Sequence, residues 1–236
     1  YGDTAETIYP VSRSGRFMEV KPSPETPLPE VSPRWRQACA HIDNAAELRE
    51  ILIGAAGEFG DFSTAGLAAV IDGQDFTGDA VAELEASLRA AEGSGSLTPA
   101  AAVGTAFRGV FQDCLDWHKA HGPMPGFREL SRTLERVAFG PPPVTARRLL
   151  ELIHSGVVNT DYLGTPEQID SWREKGGVDL LIDATVAPQA IPSPFHDVFG
   201  VVEIGRMNEI SLPGHDSLNR SVHDDIPRWA EKVGNP

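Results

Sequence analysis

Thr98-Pro99-Ala100-Ala101-Ala102-Val103-Gly104-Thr105-Ala106-Phe107-Arg108-Gly109-Val110-Phe111-Gln112-Asp113-Cys114-Leu115-Asp116-Trp117-His118-Lys119 reads as one long helix. Thr98 is a good N-cap, and Pro99 stands at the first helical position, where its missing N–H is not needed. Val103, Phe107, Val110, Phe111, Cys114 and Leu115 then recur at three- and four-residue steps and make one apolar face.

Shorter segments of the same kind lie on both sides. Upstream, Trp35, Ala38, Cys39 and Ile42 recur at helical spacing. Asn44, with Glu47 three residues on, reads as a capping box that opens a face of Leu48, Ile51, Leu52 and Ala55. A short helix is predicted over 62–71. Residues 79–92 carry Val81, Leu84 and Leu88, with Glu85 and Arg89 paired at i,i+4, and Gly93-Ser94-Gly95-Ser96 stops them. Downstream, Phe127, Leu130, Leu134, Val137 and Ala138 form a stripe ended by Gly140-Pro141-Pro142-Pro143. Residues 145–154 are short and helical with Gly156 as C-cap, and Pro166 opens a last helix over 165–175. A helical domain over 34–175 follows, with no internal repeat.

The ends read differently. Residues 8–13 suit a short strand with Pro10 near its edge, ending at Ser14-Gly15. Prolines at 22, 24, 27, 29 and 33 make 21–33 an extended, semi-rigid linker, so 1–33 is strand plus linker. Val178-Asp179-Leu180-Leu181-Ile182-Asp183-Ala184-Thr185 is a buried-strand pattern, and Val201-Val202-Glu203-Ile204 is a second short strand. A terminal helix over 221–233 puts Ile226, Trp229, Ala230 and Val233 on one side. Residues 176–236 are therefore an α/β segment, and the fold class is mainly α with a small β component.

Composition bounds what such a chain does. Its 236 residues are 41% hydrophobic, enough for a core, which excludes wholesale disorder. The net charge of −14, from 20 Lys plus Arg against 34 Asp plus Glu, argues against a nucleic acid or an anionic membrane as partner. No apolar run is long enough to span a bilayer, and residues 1–10 lack a signal-peptide pattern. Two cysteines, Cys39 and Cys114, do not make a disulfide framework and suit a reducing cytoplasm. Residues 38–104 hold eleven acidic side chains against Arg49 and Arg89, whereas 105–176 balance at nine and nine. Such runs are mostly solvated faces; the sharper alternative is a helical interaction module that docks a basic partner on its acidic face.

Three constellations could carry chemistry. Cys114, His118 and His121 share a helix face at i, i+4 and i+7, a geometry that can hold a metal. No fourth ligand is spaced to join them, and two His near a helix C-terminus are favoured by its dipole, so no metal is assigned. His215-Asp216 and His223-Asp224-Asp225 pair imidazole with carboxylate, as a general base would, but helix capping accounts for the pattern better. Ser12-Arg13-Ser14-Gly15-Arg16 follows a predicted strand, where guanidinium and hydroxyl groups can hold a phosphate.

Several ordered islands resemble a known family. Tyr9-Pro10-Val11-Ser12-Arg13-Ser14-Gly15-Arg16-Phe17 is similar to the strand-then-SRxG segment of large FAD/NAD(P)-binding flavoproteins. Ala138-Phe139-Gly140-Pro141-Pro142-Pro143 and the following 148–158 resemble that family's helical insertion, and 179–185 resemble the strand that returns to its dinucleotide fold. Gly205-Arg206-Met207-Asn208-Glu209, the 214–223 stretch and Pro227-Arg228-Trp229-Ala230 look like the closing segment of its actinobacterial branch. The chain departs from the family at Thr185-Val186, where Thr-Gly is usual.

The resemblance implies a helical insertion domain plus the incomplete C-terminal part of a Rossmann-like α/β domain. The activity it implies is that of an FAD/NAD(P)-dependent oxidoreductase, monooxygenase-like. It also implies that the rest of the same polypeptide, N-terminal to Tyr1, is the chain's partner and carries the glycine-rich turns that these residues lack. FAD and NAD(P) would bind the parent protein, and the piece alone would hold neither and would be inactive. Ser12 and Arg13 sit where such a fold contacts the adenosine 2′-phosphate of NADP. Gly205 and Arg206 sit where the family approaches the flavin, and Asp216 and His223 lie in the same closing segment.

Overall fold

The computed structural model describes residues 7–12, 14–122 and 124–165, and the single positions 168, 171, 174, 179, 180 and 182. Seven helices lie among them. They are α1 (Pro33–Cys39), α2 (Ala45–Gly57), α3 (Thr64–Ile71), α4 (Ala80–Ala91), α5 (Pro99–His121), α6 (Phe127–Ala138) and α7 (Pro143–His154). The described part of the chain is mainly α, as the apolar periodicity predicts.

The helices start where their capping residues stand. Asn44 Oδ1 accepts the Ala46 and Glu47 N–H groups, and Glu47 reaches back to the Asp43 N–H at 3.1 Å. Asp79 Oδ1 accepts from Val81 and Ala82, and Thr98 Oγ1 accepts from Ala101. Each cap satisfies a donor that the first helical turn cannot. After α7 the chain reverses at Gly156, whose φ of 77° suits a residue without Cβ.

Helix α5 is the axis of the larger core, and α1, α2, α3 and α6 pack around it. Phe107, Val103, Val110, Leu48, Leu52, Leu67, Val70, Leu134 and Val137 are almost wholly buried there. A smaller core joins α4 to α7 through Leu84, Leu88, Ala91, Ala146 and Leu150, with Val20 and Phe17 from the chain before α1. Close backbone approach tightens the larger core. A Cβ placed on Gly104 of α5 would stand 2.0 Å from the Val137 carbonyl oxygen of α6.

Two readings of the N-terminal region change. The strand expected over 8–13 reduces to one parallel bridge, Ile8 with Val158. Its partner segment has just left the Gly156 turn, and Pro10 has no N–H with which to extend the ladder. The proline-rich stretch is broken by a turn in which Thr26 N–H donates to Ser23 O, and with the residues just before it forms a strap fastened across the helices. Glu19 N–H donates to Arg136 O, Lys21 N–H to Pro141 O and Ser23 N–H to Ala91 O, and Val31 reaches the larger core. Prolines keep a chain extended; it is the neighbouring N–H donors that tie it down.

Of the helix expected over 165–175, positions 168, 171 and 174 are described and are helical. The expected strands 178–185 and 201–204, the helix over 221–233 and the Rossmann-like part of the fold lie outside the described residues, apart from 179, 180 and 182; these three are not in a strand, and Leu180 and Ile182 are exposed, against the buried strand expected there. Among the described residues, no helix is long and apolar enough to cross a membrane.

Candidate functional site

Two places gather chemistry. The first is a cavity of about 390 Å³ between the strap, α3, α4 and the N-terminus of α5. Small side chains leave the space: Gly66 and Ala69 of α3, Ala80 and Ala86 of α4, and Ala100 of α5. Phe17, Met18, Val70 and Leu84 add apolar wall.

A charged network lines one part of this cavity. Arg16 forks onto Asp75, with Nη2 to Oδ2 at 2.9 Å, and its Nε donates to Glu83 Oε2 at 3.1 Å. Arg136 Nη2 donates to Asp75 Oδ1 at 3.2 Å from the other side. The Arg16 and Asp75 side chains are only 8% and 14% exposed, so these pairs are largely out of water. Burial alone would raise the Asp75 carboxyl; hydrogen bonding to Arg16 and the charges of Arg136 and Arg16 outweigh it and hold the group below its usual range. Glu83 Oε1 also accepts the Thr77 N–H and Oγ1–H, which fixes the loop ahead of α4.

Glu19 is a further, largely buried carboxylate of this cavity. Burial pushes its carboxyl up, against hydrogen bonds from Ser87 and Thr98 and the charge of Arg136. Thr98 Oγ1 donates to Glu19 Oε1 at 3.2 Å, while Ser87 Oγ accepts the Val20 N–H at 2.6 Å. Arg108 of α5 lies behind it, bonded to Ala138 O and Thr105 Oγ1. Burial pushes the Arg108 guanidinium down to about 10, against the field of Glu19. No sequence spacing signals this network, because Arg16 meets its carboxylates 59 and 67 residues away.

The second place is the edge where the chain enters and leaves the helical body. Ile8 N–H donates to Val157 O at 2.7 Å, and Asn159 N–H to Ile8 O at 2.9 Å. Tyr9 and Tyr162 meet edge-to-face with centroids 5.6 Å apart. Farther along, Gly15 and Gly164, with φ of 64° and 98°, touch backbone to backbone; a Cβ on Gly164 would stand 2.9 Å from Gly15 Cα. Ser12 lies in this incoming segment, with its Oγ 3.5 Å from Ser14 Oγ. Arg13, Gly205, Arg206, Asp216 and His223 lie outside the described residues.

The helix-face trio has its own structural employment. His118 Nδ1 lies 2.9 Å from Cys114 O, and His121 Nδ1 lies 3.0 Å from Trp117 O, each one turn back. His118 also sits edge-on to Phe127, and His121 stacks on Trp117. Among the described residues, no group of three His, Cys, Asp or Glu side chains could hold a metal ion. Cys114 instead meets Cys39 of α1, both buried; that hydrogen bond, and then burial, push the Cys114 thiol well above its ordinary value.

The acidic stretch is likewise largely employed. Glu47 and Asp79 cap helices, and Asp75 and Glu83 hold Arg16. Glu58 pairs with Arg34, Asp72 and Glu50 with Arg49, Glu92 with Arg147, and Glu85 with His154. Much of the charge excess over 38–104 thus serves intramolecular contacts. Compared with protein-family models, with curated proteins and with solved structures, the chain finds no significant match.

Proposed function

We propose that this chain is the C-terminal portion of an FAD/NAD(P)-dependent oxidoreductase, monooxygenase-like, in which the seven helices between the segments 8–15 and 157–164 form a helical domain inserted into a dinucleotide-binding fold. The observation that carries the insertion is the pairing of the incoming segment 8–15 with the outgoing segment 157–164. A domain inserted into a host must return its chain to the point of departure. The two segments also run parallel at Ile8 and Val158, and a parallel pair needs a long crossover between its strands. Here the seven helices are that crossover, and parallel neighbours are what a doubly wound sheet requires.

The family assignment rests on the sequence islands at 9–17, 138–158, 179–185 and 205–230. In this reading the flavin and nicotinamide supply the redox chemistry, and the remaining N-terminal part of the polypeptide supplies the glycine-rich turns that cradle their pyrophosphates. Ser12 and Arg13 would contribute to the NADP phosphate subsite. Gly205, Arg206, Asp216 and His223 would contribute to the flavin side.

The test is the coding sequence upstream of Tyr1 and its product. Two glycine-rich strand–helix turns are expected there. The longer polypeptide should purify with bound flavin, while the 236-residue chain alone should take up neither FAD nor NADPH at micromolar concentration. An upstream frame without those turns, or a flavin-free longer protein, overturns the assignment.

A further inference from the structure

We propose that the cavity between the strap, α3, α4 and the start of α5 is a binding site for an uncharged, mainly apolar organic molecule of about two fused rings. The inference does not rest on the flavoprotein assignment.

Size comes first. A volume of about 390 Å³ falls within the range of sites that enclose small organic ligands. The space is built from small side chains on separate helices. Ala69 on α3 faces it together with Ala80 and Ala86 on α4 and Ala100 on α5.

Charge selects the class. Arg16, Arg136, Asp75, Glu83 and Glu19 line the cavity, and Arg108 stands behind Glu19. Two guanidinium groups thus line the cavity with three carboxylates, and the field of Arg108 reaches Glu19. Arg16 spends Nε, Nη1 and Nη2 on Asp75 and Glu83. Asp75 is shared with Arg136. Glu19 is held by Thr98 and Ser87 and lies in the fields of Arg136 and Arg108. An anionic or cationic ligand would bring an unmatched charge into a partly desolvated space, or would have to break one of these pairs. A neutral body against Phe17, Met18, Val70 and Leu84 costs neither, and a single hydroxyl can meet the Thr98–Glu19 edge.

The test uses three probes of one shape on the whole chain: 1-naphthylmethanol, 1-naphthoate and 1-naphthylmethylamine. Binding is followed by methyl NMR of Val70, Leu84 and the lining alanines. The alcohol is expected to saturate these methyls, and the carboxylate and the amine to bind at least tenfold more weakly. Ala69→Phe, which fills the cavity, should weaken the alcohol at least tenfold; Ala86→Leu serves the same purpose if Ala69→Phe does not fold. The inference is overturned if the alcohol does not perturb these methyls up to its solubility, if a charged probe binds as tightly, or if a folded filling variant binds undiminished.

Discussion

Gly104 sits in the second turn of α5, inside the helix, where alanine would ordinarily strengthen it by about 1 kcal/mol. The tertiary contact reverses that sign. The added Cβ would meet the Val137 carbonyl oxygen at 2.0 Å, against about 3.4 Å for ordinary contact, so α6 would have to retreat by about 1.4 Å. The obstacle is backbone, so no rotamer change can relieve it. Retreat would loosen Leu134, Val137 and Ala138 against Val103 and Phe107, all almost completely buried. Overpacking of this kind costs about 3 kcal/mol at the upper end of its range, leaving Gly104→Ala about 2 kcal/mol less stable after the propensity gain. Urea unfolding followed by circular dichroism reads this directly. With a slope of about 2 kcal/mol per molar, the midpoint should fall by about 1 M. Gly57→Ala is the control: it would meet only Leu67 Cδ1 at 3.8 Å and should be neutral or slightly stabilising. A Gly104→Ala protein more stable than the parent by the propensity increment would refute the α5–α6 packing.

Asp75→Asn removes the carboxylate that Arg16 and Arg136 share and should cost about 3 kcal/mol in chemical denaturation. Because the native Asp75 group is held below its usual range, its contribution is complete above about pH 4 and is lost as pH falls through the lower native value. The parent should show that acid loss and Asp75→Asn should lack it. Burial lowers the His118 pKa, against its bond to the Cys114 carbonyl, so the unfolded chain takes up protons first as pH falls. Stability should therefore decline below about pH 6.5, and His118→Gln should flatten that decline in thermal melts from pH 8 to 5. Thr98→Ala removes both the α5 cap and a donor to Glu19, and should lower stability by about 1–2 kcal/mol in the same urea titration.

Legibility followed the range of the interaction. Asn44 with Glu47, Asp79, and Thr98 with Pro99 mark helix starts because a cap acts on N–H groups two or three residues away. The Gly93–Ser96 and Gly140–Pro143 breaks were equally plain. The strand predicted over 8–13 is a single bridge to Val158 among the described residues, because a strand requires a partner that its own sequence does not show. The strap was read as a linker because its composition reports backbone stiffness and not the distant carbonyls that accept from Glu19, Lys21 and Ser23. Nothing in the sequence spacing of Cys39 and Cys114 marks their contact, which arises only from the packing of α1 on α5.

By itself, then, the amino-acid order determined the helical class, the positions of the helices and which face of each is apolar, since propensity, capping and periodicity act within a few residues. Only the tertiary structure decided what those helices enclose. By sequence Arg16 belongs to a stretch that could hold a phosphate, but the fold commits it to Asp75 and Glu83, and Gly104 is a weak point in a helix until α6 closes on it. Charge pairing and close approach depend on distances in space, and residues 59 or 67 places apart leave no periodic trace of them.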